Sequence, residues 1–388
     1  MKFIFAPDSF KGSLSSVEEI AILKCVAEEL CPGCELKGLP MADGGEGTAA
    51  AILAAAPGQM LHPVVRDPLF RPVTAYYGLL ASGTAVIEMS AASGLPLVEE
   101  ALRDPERTSS FGTGELIREA LDRGARELLL CVGGSATNDG GIGTLAALGA
   151  RFLDGEGREL TPVGGSLGLI DRIELTELDP RLAECRIRVL CDVTNPLLGD
   201  EGATYTFGPQ KGAGPEALAR LEAGMTRYAE RSAALLGRDL RDMPGAGAAG
   251  GLAFALAAYC GGTLISGIEA VLSVLSFDEK VRGADLIITG EGCLDRQSLK
   301  GKVISGILRH GKALGIPVAA VVGMNRLTAE ETRALGFAGV YPLVSGDVTA
   351  EQSLADPVRF YEARARELFR ELGSRKKLPQ EILKSFLT

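Results

Sequence analysis

The sequence has no tryptophan, and aromatic residues make up only 5% of its 388 residues. This scarcity argues against proteins that stack the bases of single-stranded nucleic acid on aromatic side chains. Lysine and arginine form no basic run and the formal net charge is −10 at pH 7, so no surface for nucleic acid or anionic lipid is expected. No apolar run reaches membrane-spanning length, and the apolar stretch near the N-terminus is too short for a signal peptide. We therefore expect a cytoplasmic protein whose partners are small molecules.

Histidine is nearly absent, with His62 and His310 the only two. Neither lies in a glycine-rich loop, which disfavours a Ser-His-Asp triad, a His-ligated zinc site and a phosphohistidine. The eight cysteines form no disulfide framework, and Cys31 and Cys34 lack the second pair that a four-cysteine zinc site needs. Carboxylates, lysines, hydroxyls and backbone amides remain as catalytic groups.

The two ends of the chain show the same alternation of strands and helices. Residues 2–6 and 35–39 are predicted strands, and the helix between them begins at Ser15 or Ser16, ahead of the acidic pair at 18–19. Towards the C-terminus we predict strands at 284–289, 317–322 and 339–343, and helices at 301–314 and 357–372. Strands that alternate with helices in this way predict a parallel sheet.

The middle of the chain differs, because residues 61–90 alternate with the period of two that is typical of antiparallel or mixed pairing. A length of 388 residues also favours two domains. We therefore expect an α/β protein with a doubly wound parallel-sheet domain built from both chain ends, residues 1–62 plus 275–375. An inserted mixed-sheet α/β domain would span 63–274, and 376–388 would be a variable tail.

Seven polar, glycine-rich loops follow predicted strands or open predicted helices, and open α/β sheets bind ligands at the carboxyl ends of their strands. The first, residues 6–13, offers Asp8, Ser9 and Lys11 at a helix start, which suits an anion although its spacing is not that of a P-loop. A helix cap with a solvated lysine is the alternative. In the second, residues 42–48, Asp43 and Glu46 suit a metal or a substrate hydroxyl, or simply a tight turn.

Hydroxyl and amide side chains dominate the third and fourth loops. Ser110 and Thr113 in residues 109–115 suit phosphate or carboxylate binding, or act as ordinary helix caps. The fourth loop, residues 133–143, combines five glycines with polar side chains, which favours an anion cradle over a purely structural loop. Its candidate ligands are Ser135, Thr137, Asn138 and Asp139.

Charged and amide side chains mark the remaining loops. Asp192, with Asn195 beside it, is a candidate base or metal ligand, and Gln210 with Lys211 is placed to meet phosphate. The seventh loop, residues 289–302, gathers carboxylates and lysines ahead of a helix, and its candidates are Glu291, Asp295, Ser298 and Lys300. A further loop at 244–251 is interpreted as structural, a close helix contact or a hinge.

These groups suit phosphoryl transfer, because Mg²⁺ takes oxygen ligands, lysines and amides neutralise phosphate, and a carboxylate receives the proton of the attacking hydroxyl. By elimination the residues indicate a Mg²⁺-dependent phosphotransferase. A non-catalytic module that closes on a sugar acid is the alternative, although it would not need several carboxylates among its lysines.

Seven motifs, in order, resemble the bacterial glycerate kinase family of the glycerate 2-kinase type. They are APDSFKGSLS at 6–15, PMADGGEGT at 40–48, SSFGTGELI at 109–117, GGSATNDGG at 133–141, CDVTNPLLG at 191–199, FGPQKGA at 207–213 and TGEGCLDRQSLKGK at 289–302. The resemblance covers roughly residues 1–372. It implies a flavodoxin-like terminal domain, an inserted α/β domain and an active site in the cleft. It also implies ATP, Mg²⁺ and D-glycerate, with phosphoglycerate as product, 2-phosphoglycerate being favoured.

Residue chemistry suggests roles within these motifs. Asp192 is the first candidate for the general base and Asp295 the second, while Lys11, Lys211 and Lys300 are expected to contact phosphate. Candidate metal or hydroxyl ligands are Asp8, Asp43 and Glu291, with Asp43 and Glu291 as the metal candidates. A kinase for another small hydroxy acid stays open, as do the transfer position, the nucleotide preference and the oligomeric state, for which a homodimer is one option.

Overall fold

The computed structural model describes residues 1–10, 12–296, 298, 301–346 and 348–374, so the predicted tail lies outside it. The chain divides into two compact units. The terminal unit contains residues 1–43, 54–56 and the described residues from 271 onwards, and the central unit contains 44–53 and 57–270. The sequence-based boundaries lie at 62 and 275. The structural division differs from them in placing residues 44–53 and 57–62 in the central unit.

Most strands of the described chain are short, and the two longest lie towards the C-terminus. In chain order they are β1 (Lys2–Pro7), β2 (Glu35–Gly38), β3 (Gly58–Leu61), β4 (Val64–Arg66), β5 (Pro72–Thr74), β6 (Tyr77–Leu80), β7 (Thr84–Glu88), β8 (Glu127–Cys131), β9 (Arg151–Leu153), β10 (Arg172–Glu174), β11 (Arg186–Leu190), β12 (Thr263–Ile265), β13 (Leu286–Leu294), β14 (Val318–Asn325) and β15 (Gly339–Pro342).

The helices follow the same order. They are α1 (Ser16–Leu30), α2 (Thr48–Ala55), α3 (Ser90–Ser93), α4 (Phe111–Asp122), α5 (Ile142–Ala147), α6 (Ala203–Phe207), α7 (Pro215–Leu236), α8 (Ala248–Tyr259), α9 (Gly267–Val274), α10 (Phe277–Val281), α11 (Val303–Leu314), α12 (Ala329–Ala334), α13 (Ala350–Ala355) and α14 (Pro357–Ser374). Within the described ranges, no helix is both long enough and apolar enough to span a membrane.

The sheet of the terminal unit is entirely parallel, in the order β2-β1-β13-β14-β15. Numbered within the sheet this is 2-1-3-4-5, the strand order of flavodoxin-like sheets, and it reverses between β1 and β13. Phe3 and Phe5 of β1 pack against Phe369 of α14, which buries one face of the sheet. The parallel sheet predicted from the two chain ends is confirmed.

The sheet of the central unit is mixed, in the order β12-β11-β8-β7-β6-β3. Strands β7, β8, β11 and β12 pair in parallel, whereas β6 is antiparallel to both β7 and β3. The mixed pairing predicted from the alternation at 61–90 is therefore confirmed. Small antiparallel ribbons, β4 with β5 and β9 with β10, complete the strands of this unit.

Helix α1 shows how local sequence sets an element. Ser15 caps its N-terminus, accepting a hydrogen bond from the Glu18 amide while the Glu18 side chain accepts one from the Ser15 amide. This reciprocal capping box satisfies two amides that would otherwise lack partners. Ile20 and Leu23 are buried on the face that meets the sheet, as the helical spacing predicts.

Candidate active site

A cavity of about 390 Å³ lies in the terminal unit, at the carboxyl ends of β1, β13, β14 and β15. It includes the point between β1 and β13 where the strand order reverses, which is the usual ligand position in such sheets. We call it the strand-end pocket. The structure brings five predicted site residues together in its wall, and they are Asp8, Ser9, Asp43, Glu291 and Asp295.

Glu291 is the most deeply buried acid of the strand-end pocket, with 5% of its surface exposed. Its Oε1 atom has no hydrogen-bond partner among the described residues. Burial raises its pKa to about 7; Asp295 and Asp43 act in the same direction, while Ser298 and Lys302 oppose the shift. A buried carboxyl that faces a cavity with an unused oxygen is suited to bind a hydroxyl or a cation.

Asp295 and Ser298, from the same loop, form a closed turn. The Ser298 amide donates to Asp295 Oδ1 at 3.0 Å, and the Asp295 amide donates to Ser298 Oγ at 3.2 Å. Ser298 Oγ in turn donates to the Cys293 carbonyl at 2.8 Å. These contacts fix the path of the loop after β13. Lys300, predicted from the same loop, and Lys11, from the loop after β1, lie outside the described residues.

Asp8 is held at the end of β1. Its amide donates to the Gly290 carbonyl at 2.9 Å, and its Oδ1 accepts a hydrogen bond from the Ser9 amide at 2.8 Å. Among the described residues, no group of three His, Cys, Asp or Glu side chains is arranged to hold a metal ion. Mg²⁺ commonly uses only one or two carboxylates and keeps several waters. Asp43 and Glu291, as oxygen donors in one wall, therefore fit a Mg²⁺ site of that kind.

The side of the strand-end pocket that β14, β15 and α13 form is mainly apolar, and sequence reasoning missed it. Met324 comes from β14, Leu343 and Val344 follow β15, and Ala350 and Leu354 belong to α13. Reading the sequence for polar, glycine-rich loops does not find these residues, because they are apolar and are not glycines. The one feature of the sequence that marks them is their position, at or after the end of a predicted parallel strand.

In the central unit, Asp139 is fully buried and its carboxylate is occupied. It accepts hydrogen bonds from the Ser110 amide at 2.7 Å and the Ser110 hydroxyl at 2.8 Å, and from the Gly141 and Gly143 amides at 3.1 and 3.2 Å. Burial raises its pKa, and the hydrogen bonds oppose the rise. Asp139 and Ser110 thus tie the predicted third and fourth loops to each other.

Lys211 is also buried, with 1% of its surface exposed. Its Nζ donates to the Thr137 carbonyl at 2.6 Å. Burial lowers the pKa of Lys211 to about 7, and the charge of Asp139 opposes that shift. The hydrogen bond from Lys211 Nζ therefore stabilises the fourth loop from its buried side.

The other polar residues of these loops are also packed. The Thr113 hydroxyl lies 2.8 Å from the Ser93 hydroxyl, and the side-chain Nδ2 of Asn138 donates to the Thr204 hydroxyl at 3.1 Å. Within the described chain, Thr137 Oγ1 and Asn138 Oδ1 are buried without partners. Ser135 is buried beside Gly94, with which it forms an isolated antiparallel bridge.

Asp192 and Asn195 follow β11. The exposed Asp192 accepts a hydrogen bond from the Gly267 amide at 3.1 Å, at the start of α9. Asn195 donates to the Glu201 carbonyl at 2.7 Å and so stabilises its own loop. Glu46 and Gln210 are exposed.

Glu88 is a buried acid that sequence reasoning missed. Its Oε2 accepts hydrogen bonds from the Gly47 amide at 3.0 Å and the Tyr76 hydroxyl at 2.8 Å, and its Oε1 accepts one from the Ala49 amide at 2.8 Å. It thereby fixes the glycine-rich loop ahead of α2. Nothing in the local sequence at the end of β7 marks Glu88, because the loop that it fixes lies about 40 positions away.

Comparison with known proteins identifies the family of the chain. The family model described as glycerate kinase family matches residues 3–373. The chain belongs to that family. It is 42% identical to the glycerate kinase of Bacillus subtilis over 95% of this chain and 97% of that protein. It is 47% identical to the glycerate 2-kinase of Escherichia coli over 83% of this chain and 85% of that protein.

A solved structure extends the match to three dimensions. The crystal structure described as "putative glycerate kinase 2" from Salmonella typhimurium LT2 aligns with a TM-score of 0.89 and 44% identity, over 97% of this chain and all of that one. The protein is therefore a kinase with an α/β fold of parallel and mixed sheets, and the resemblance carried by its seven motifs is confirmed.

Proposed function

We propose that the protein transfers the γ-phosphoryl group of ATP to D-glycerate and that the 2-hydroxyl is the acceptor. The observation that carries the proposal is the match of nearly the whole chain to glycerate kinases, one of them named a glycerate 2-kinase. The strand-end pocket, with its carboxylates at the reversal of strand order, supports a ligand site of this kind in the terminal unit. Phosphorylation of another small hydroxy acid is the second candidate.

In the proposed reaction the glycerate hydroxyl oxygen forms a bond to the γ-phosphorus while the bond to the β–γ bridging oxygen breaks. The hydroxyl proton passes to a carboxylate and then to solvent, and ADP leaves. Asp192 is the first candidate for this carboxylate and Asp295 the second. Mg²⁺, when bound, would neutralise phosphate oxygens, and Asp43 and Glu291 are the residues proposed to hold it.

We also propose that the terminal unit is a flavodoxin-like domain with the central unit inserted into it. The order β2-β1-β13-β14-β15 and the return of the chain to this sheet after residue 271 support that description. A cytoplasmic location fits a protein whose eight cysteines are all free.

The proposal is tested with purified protein, Mg²⁺, ATP and a panel of small hydroxy acids, with ADP release as the readout. D-glycerate is expected to be the preferred acceptor, and EDTA is expected to abolish turnover. Preference for another acid would support the second candidate, and no turnover with any acid by folded protein would contradict both.

If Asp192 is the base, Asp192→Asn should lower kcat by roughly 10²-fold or more with little change in the KM for glycerate. Asp200→Asn, an exposed acid in the same loop, is the matched control and should behave like the wild type. A kcat within tenfold of the wild type in Asp192→Asn would exclude the role. A matching loss of unfolding free energy would instead indicate a structural contribution from the hydrogen bond to Gly267.

A further inference from the structure

The strand-end pocket has two chemically different walls. The described acids of one wall are Asp8, Asp43, Glu291 and Asp295, and the ammonium of Lys302 lies beside them. The other wall is formed by Met324, Leu343, Val344, Ala350 and Leu354. Because the acids come from the β1 and β13 end of the sheet and these apolar residues from the β14 and β15 end, the pocket suits a ligand with hydrogen-bond donors towards the former and apolar surface towards the latter.

Glycerate does not meet that description. It is a three-carbon acid with hydroxyl and carboxylate groups, so it has no apolar face to cover Leu343 or Leu354. Its carboxylate would also lie among four carboxyl groups of the pocket wall, an unfavourable position for an anion. A cavity of about 390 Å³ is in the range that holds larger organic ligands.

A nucleoside does meet the description. A purine base is flat and largely apolar on its faces, and ribose carries two hydroxyls that donate hydrogen bonds. Acidic side chains at the carboxyl ends of strands bind ribose hydroxyls in dinucleotide-binding folds. The buried Oε1 of Glu291, which has no partner among the described residues, is an acceptor available for such a donor. In this arrangement Glu291 binds the ribose, so Asp43 is the carboxylate left to hold Mg²⁺ and Asp192 is the base.

We propose that the strand-end pocket holds the nucleoside of ATP, with the base against the apolar wall and the ribose hydroxyls towards the carboxylates. The inference rests on the proposed function in that ATP is the phosphoryl donor. Lys302 is the N-cap residue of α11, a 12-residue helix, and lines the pocket. A lysine and a helix N-terminus together suit the first phosphates of the chain.

Leu354 provides the cleanest test, because 64% of its surface is exposed and replacement should not disturb the core. Leu354→Asp would put a charge on the apolar wall, and we expect it to raise the KM for ATP about tenfold or more. The KM for glycerate should stay within about twofold. Val358→Asp is the matched control, since Val358 is 50% exposed at the start of the next helix and does not line the pocket.

Two further measurements make the test decisive. Calorimetric titration with ADP in the absence of glycerate should show that Leu354→Asp also weakens ADP binding. Thermal unfolding checks that the variant is folded. Ala350→Trp, which fills the pocket from the same helix, provides a second variant. A rise in the KM for glycerate instead of that for ATP, or no change in either variant, would overturn the proposal.

Failure of the proposed function gives a different pattern. If the wild type does not phosphorylate glycerate, the ADP titrations still report whether the pocket binds the nucleoside. Tight ADP binding that Leu354→Asp weakens would then support the pocket assignment while the glycerate assignment falls.

Discussion

At the scale of single residues, Lys211 and Asp139 illustrate how side chains can support a loop from inside. Both come from glycine-rich motifs, and both residue types suit phosphate binding, so their local sequence does not reveal that they are buried. The structure buries both, and Lys211 Nζ donates a hydrogen bond to the Thr137 carbonyl. Burial depends on contacts between positions far apart in the chain, which is why it could not be predicted from the motif.

The burial of Lys211 predicts a pH dependence of stability. In the folded protein its pKa falls to about 7, whereas an unfolded lysine keeps its proton to about pH 10.4. Between these values the unfolded state binds more protons, so the free energy of unfolding should rise with pH. The wild type should gain up to about 1.4 kcal/mol per pH unit relative to Lys211→Met.

Urea unfolding at pH 7, 8 and 9 checks this expectation. Lys312→Met, which removes an exposed lysine from the terminal unit, is the control and should show no pH-dependent difference from the wild type. A difference between the wild type and Lys211→Met that stays constant across the three pH values would contradict the shift.

At the scale of elements, the start of α8 contains an unusual turn. Ala249, Gly250 and Gly251 are consecutive residues with positive φ of 52°, 65° and 91°. The turn packs against the fourth loop, where the Gly140 amide donates to the Gly250 carbonyl at 2.9 Å. The sequence-based prediction of a structural contact at 244–251 agrees with this packing, although one sequence could not identify its partner.

Gly250 in this turn and Gly237 outside it give a matched pair of alanine variants. Gly250 and Gly237 have nearly the same φ, 65° and 66°, so alanine costs each about 1–2 kcal/mol of backbone strain. A Cβ at Gly237 would meet nothing within 4 Å, whereas one at Gly250 would collide with the Thr137 carbonyl oxygen. We therefore expect Gly250→Ala to lose roughly 1–3 kcal/mol more unfolding free energy than Gly237→Ala. Equal losses in urea unfolding would show that the fourth loop yields easily to the added methyl group.

Predictions of whole elements were most accurate where local signals agree with the tertiary fold. The capping box at Ser15 and Glu18 and the apolar spacing behind it define α1, and both are visible in the sequence. The β9–β10 ribbon was not predicted, because its strands are three residues long and pair across an 18-residue connection. Short strands carry too little alternation to stand out in a sequence.

At the scale of the whole molecule, the alternation of strands and helices at both chain ends was enough to predict one parallel sheet that contains both. The assignment of residues 44–53 to the central unit was not foreseeable, because it depends on contacts such as that of the Gly47 amide with Glu88. The same holds for the candidate site. Its acidic residues could be predicted from the polar loops at strand ends, whereas its apolar residues could be identified only from the three-dimensional structure.

The position of phosphorylation is tested most directly by the product itself. Protein, ATP, Mg²⁺ and D-glycerate are incubated together, and the product is passed to enolase with and without phosphoglycerate mutase. Transfer to the 2-hydroxyl predicts that enolase alone forms phosphoenolpyruvate at once. Formation of phosphoenolpyruvate only after the mutase is added would show 3-phosphoglycerate as the product and would contradict the claim.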